Sequence, residues 1–167
     1  MLNLKEILID TMIASFYKET QLGRSLRNIN KKQILLFKRK LKREIHSLIK
    51  KVDSNSLKNK DIRNSIKKLA KLKNISIGQS QKIINVYLKV YCILLEKNLI
   101  FELDCPLDSK VMKKLKTKEL RRTSLKKLNK FEVYEKWQEH IKEKGMGIRL
   151  NVDMKIYDKE RINSFFK

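Results

Sequence analysis

Apolar residues recur at steps of three and four along most of this chain, the repeat of an amphipathic helix. Residues 2–18 place Leu4, Ile7, Leu8, Met12 and Phe16 on one face, which predicts a first helix. Gln21–Asn30 is polar, holds Gly23 and reads as a connection. From Lys31 to Val52, Ile34, Phe37, Leu41, Ile45, Leu48 and Val52 keep the step and predict a long helix with a strongly basic outer face. Asp53–Asn59 has turn chemistry. Asp61 can then cap a helix carrying Ile62, Ile66, Leu69 and Leu72. The stretch NISIGQSQ (74–81) reads as a polar turn opening Lys82–Lys97, the most apolar segment of the chain. A helix apolar on nearly all sides is buried on nearly all sides, so this one is expected at the centre.

Phe101–Leu107 reads as a loop, and Asp108 as the N-cap of a helix over Ser109–Leu115. Phe131–Lys144 predicts another amphipathic helix, stopped by Gly145 and Gly147. Val152, Met154, Ile156 and Tyr157 fit either a short strand or a last helix. Four glycines and one proline leave few breaks of the kind that punctuate sheets and hairpins. The fold expected is all-α: one compact domain over residues 1–167, with about six to eight helices.

Composition narrows the class. At 41% apolar residues the chain can bury a core and is no disordered polycation. It has no apolar run long enough to span a bilayer. Lys5, Glu6 and Asp10 interrupt the first fifteen residues where a secretory signal needs a continuous apolar block, so a cytoplasmic location is expected, without membrane association. Cys92 and Cys105 are too few for a four-ligand metal or cluster site and read as a buried thiol and a loop thiol; no metal or cofactor is expected.

Charge changes the picture more. Forty-one Lys and Arg face eighteen Asp and Glu, a formal net charge of +23, and a fold carrying that excess calls for a polyanion. Residues 38–73 hold fourteen Lys and Arg against three acids, and residues 110–130 hold ten against Glu119 alone. Nucleic acid, double-stranded DNA first, is the expected partner, with an anionic membrane surface as the alternative reading of the charge. Lys110, Lys113, Lys114, Arg121 and Arg122 are candidate phosphate contacts, the arginines with bidentate geometry available.

Two elements bear on chemistry: the helix opening ISIGQSQKIINVYLK and the loop-to-helix element PLDSKVMKKL. Gly78, Lys82 and Asn85, followed by Pro106, Asp108 and Val111, resemble the patterns G-x-x-x-K-x-x-N and P-x-D-x-x-V of the helix-hairpin-helix DNA glycosylases, closest to the 8-oxoguanine branch. The resemblance covers about residues 70–116. It implies a helix-hairpin-helix element and excision of a flipped-out modified or damaged base. It implies Lys82 as nucleophile at C1′, able also to support abasic-site lyase activity, and Asp108 as the carboxylate that stabilises charge on the sugar. A lysine attacks only as the neutral amine, which burial and neighbouring positive charge favour. Gly78, Gln79, Ser80 and Gln81 would present hairpin amides to a phosphate.

Each of these residues also has a plainer role. Lys89, further along the same helix, competes with Lys82 as nucleophile. Asp108 is as simply a helix cap. Tyr134, Trp137 and His140, with Phe131, could stack on an extruded base, but aromatics at steps of three and four are also ordinary core. Asp153 reads as a turn residue and His46 as solvent-facing. The function expected is a base-excision glycosylase; the alternative is a non-catalytic helical nucleic-acid binder, either an inhibitor of a nucleic-acid machine or a helix-hairpin-helix module.

Overall fold

A computed structural model describes residues 30–94, 99, 101–115, 128–147 and 149. Five helices lie among them: α1 (Lys31–Asp53), α2 (Asn59–Ala70), α3 (Ile77–Leu94), α4 (Ser109–Lys114) and α5 (Phe131–Lys144), with no strand among the described residues. The fold is all-α, as the periodicity predicts. The expected helix at 2–18, the connection before Asn30, Asp153 and the undecided element near residue 154 lie outside the described residues.

α1 starts where Asn30 accepts the Gln33 N–H on its side chain at 2.9 Å, a conventional N-cap. It buries Phe37, Leu41, Ile45, Leu48 and Val52. The turn after it uses Asn55 in the left-handed region (φ 52°), which Asn tolerates better than most residues. In α2, Asp61 is the third helical residue rather than the cap, and its carboxylate accepts the Lys58 N–H at 3.0 Å. It also pairs with Lys51 at 2.7 Å, tying the end of α1 to the start of α2. Glu44 faces inward from α1 and accepts from the Ser65 hydroxyl at 2.8 Å and from Lys68 at 3.5 Å.

α3 begins five residues before the expected Lys82. Ser76 and Gln79 close a reciprocal cap: the Ser76 Oγ accepts the Gln79 N–H at 3.1 Å, and the Gln79 Oε1 accepts the Ser76 N–H at 2.8 Å. The stretch ISIGQSQ is therefore mostly helix, and the turn before it places Asn74, not Gly78, in the left-handed region (φ 65°). α3 is central, as expected: Ile83, Ile84, Tyr87, Leu88 and Tyr91 are all buried, and it packs chiefly on α2, whose Ile62, Ile66 and Leu69 are buried as well. α5 adds the buried Tyr134, Trp137 and Ile141 to the core, and Lys67 of α2 lies over the Phe131 ring at 3.9 Å. Cys92 and Cys105 are both buried.

Candidate nucleic-acid interface

The segment between α3 and α4 has no regular structure from Leu103 to Asp108, yet Leu103 through Leu107 are buried. Buried backbone needs partners, and here side chains supply them. The Gln138 amide of α5 accepts the Cys105 N–H at 2.9 Å and donates to its C=O at 2.8 Å. The Gln81 amide of α3 does the same for Leu107, at 3.0 and 2.8 Å. Pro106, between them, has no N–H to satisfy.

Asp104 is the charged centre of this segment. Its fully buried carboxylate meets Arg63 Nε at 3.2 Å, Arg149 Nε at 3.4 Å, the Asn59 amide at 2.8 Å and the Tyr134 hydroxyl at 2.7 Å. Tyr134 also accepts from the Asn85 amide at 3.0 Å. Burial, then the adjacent Asp104 charge, push the Tyr134 hydroxyl well above its ordinary range, so it serves as a neutral donor. Burial works against the charge of Arg63, and the Asp104 carboxylate outweighs it, raising the guanidinium above its usual value. Glu135 and Glu139 cover the outer side of the two arginines. These contacts join α2, α3, the loop and α5, a structural role in a buried ion cluster.

The residues singled out in the sequence fall into separate groups. Gly78, Gln79, Ser80 and Gln81 are buried, and the first-turn amides expected to face a phosphate are taken: Gly78 donates to the Leu128 C=O at 3.0 Å and Gln79 to Ser76. They form an internal helix start, not a phosphate-facing hairpin. Tyr134 and Trp137 are core residues with no exposed face on which a base could stack, while His140 is half-buried and lies 3.9 Å from Glu143. His46, expected at the surface, is half-buried.

Asp108 caps α4, accepting the Lys110 and Val111 N–H groups at 2.9 Å each. Lys82 and Lys89 are both half-buried on α3. The Gln81–Leu107 pair places Lys82 and Asp108 directly after two residues locked to each other. Lys110, Lys113 and Lys114 are exposed on α4, whereas Arg121 and Arg122 lie outside the described residues.

The exposed face of α1 carries the most extended charge among the described residues. Lys31, Lys32, Lys38, Arg39, Lys42, Arg43 and Lys50 are exposed, and the exposed acid on this helix is Asp53, its last residue. Glu44, the other acid of α1, is turned into the core. Lys32, Arg39, Arg43 and Lys50, at steps of seven, four and seven, fall in one stripe along a helix roughly 35 Å long. Sequence reasoning identified the basic outer face of Lys31–Val52 but missed two leucines on the same helix, Leu35 and Leu36, which are 55% and 53% exposed. It also missed Asp104; an acid inside the apolar run Leu103–Leu107 was the available signal.

No family model, curated protein or solved structure matches this chain. No helix among the described residues is long and apolar enough to cross a membrane.

Proposed function

We propose that this protein binds nucleic acid by contacting phosphates along the exposed face of α1. The observation that carries the reading is the Lys32–Arg39–Arg43–Lys50 stripe on a face with no exposed acid before Asp53. A solvated helix face ordinarily mixes charge signs, whereas a stripe of one sign follows a polyanionic backbone. Phosphate binding of this kind is sequence-independent and strongly salt-dependent, because each contact releases condensed counterions. Anisotropy titrations on a labelled duplex between ~50 and ~200 mM salt test it. The affinity should fall steeply with salt, and Arg39→Gln with Arg43→Gln should flatten the log–log slope by about 0.9 per lost phosphate contact. Binding that is absent, or indifferent to both substitutions, overturns the reading.

A second reading, base excision by a glycosylase, is favoured by one observation: the double hydrogen bond from Gln81 to Leu107 brings the start of α3 to the cap of α4, the two elements that bear Lys82 and Asp108. In that chemistry the neutral Lys82 amine bonds to C1′ as the base departs with the glycosidic electron pair. Borohydride trapping on duplexes carrying 8-oxoguanine, uracil or an abasic site tests it. An adduct lost in Lys82→Gln supports the enzyme, and no adduct or base release on any substrate leaves the binder.

A further inference from the structure

At its N-terminal end α1 borders a depression lined by Ile34, Leu36, Phe37, Leu72 and Ile75, with Gln33 and Lys73 as its polar members. Leu36 stands half exposed at the edge of this depression. One helical turn to either side of Leu36 along α1 are Lys32 and Lys40, and Arg43 follows at a step of seven. Lys73 supplies a cation from the turn between α2 and α3. An apolar mouth is thus set among cations, and no acidic residue lines it among the described residues.

Water is a poor occupant for such walls, and a small aliphatic ligand would leave the surrounding charge unused. A nucleotide satisfies both parts, since its base offers flat apolar faces with a polar edge and is carried between anionic phosphates. Binders of unpaired strands combine a cationic track with aromatic platforms for the bases, and apolar wedges, leucine among them, insert at disrupted base steps. Resting on the phosphate-binding reading above, we infer that the preferred partner is nucleic acid carrying an unstacked base. That base sits against Leu36 in the depression, while the flanking phosphates meet Lys32, Arg39 and Arg43. Among the described residues, Gln33 and Lys73 are the polar groups available to its edge.

The full-length protein is titrated against three labelled probes: a perfect duplex, the same duplex with one bulged adenine, and the same duplex with an abasic bulge. The expected result is binding to the adenine bulge about tenfold tighter than to either other probe. Leu36→Ser should erase that preference while leaving the salt slope on the perfect duplex unchanged. Leu35→Ser, equally exposed but on the other side of the stripe, should keep the preference. Equal affinity for all three probes, or a preference that survives Leu36→Ser, overturns the inference and leaves phosphate binding intact. Loss of salt-dependent binding to every probe would instead remove the reading on which the inference rests.

Discussion

Gln81 holds both backbone polar groups of Leu107, its Oε1 accepting the N–H at 3.0 Å and its Nε2 donating to the C=O at 2.8 Å. The same amide nitrogen donates to the Gly78 C=O at 3.0 Å, so the side chain is fixed from two sides. A leucine of similar size would leave the Leu107 N–H and C=O buried and unsatisfied. Gln81→Leu is therefore expected to destabilise the fold by about 3 kcal/mol in urea unfolding. A change below about 0.5 kcal/mol would mean that the loop finds other partners.

Tyr134 separates a core role from a base-stacking one. Tyr134→Phe keeps the ring and removes the hydroxyl that donates to Asp104 and accepts from Asn85. Stability should fall by about 1–2 kcal/mol, with affinity for DNA unchanged. Affinity lost at constant stability would return Tyr134 to a base pocket.

Asp108 allows the cap and the charge to be tested apart. Asp108→Ala removes the acceptor for two amides of α4 and should cost about 1 kcal/mol, whereas Asp108→Asn caps nearly as well and should stay close to the parent in thermal unfolding. If the glycosylase reading holds, Asp108→Asn is stable and inactive. A cap alone predicts that any DNA-directed activity survives it.

Asp61 links stability to acid. The Lys51 ammonium hydrogen-bonded to it holds its carboxyl below the ordinary 3.8, against a smaller opposing effect of burial. A carboxyl lowered in the folded state stabilises above its unfolded value, and that stabilisation is lost as pH falls through the folded value. The Tm difference between the parent and Asp61→Asn should be constant above about pH 5 and shrink below 3.8. A difference that grows on acidification would reverse the assigned direction.

The long helices were legible because a repeat of three and four over many residues leaves few alternatives. α1 and α5 start within a residue of the expected positions. The opening of α3 is less legible, because Gly78 suggests a turn while the S-x-x-Q cap that starts the helix lies in Ser76 and Gln79. Site residues were harder for a different reason. A polar residue type does not reveal whether its partner is a phosphate or buried backbone, and the partner of Gln81 lies 26 positions away. Gln79, Ser80 and Gln81 thus read as surface and are interior. The basic character of α1 was visible because exposed charge needs no partner within the chain, but the leucines beside it carry meaning only once their exposure is known.

The loop held by Gln81 and Gln138 has consequences for the order of folding. Neither glutamine is local to it, and each sits on a helix that must dock before its amide can reach Cys105 or Leu107. Closing such separated contacts costs chain entropy that only a formed core repays. Ordering of residues 103–108 is therefore expected after the transition state, with φ-values near zero. Weakening either glutamine should then quicken unfolding while hardly slowing the refolding arm. The part of the molecule that joins the most helices would be the last to assemble and the first to let go.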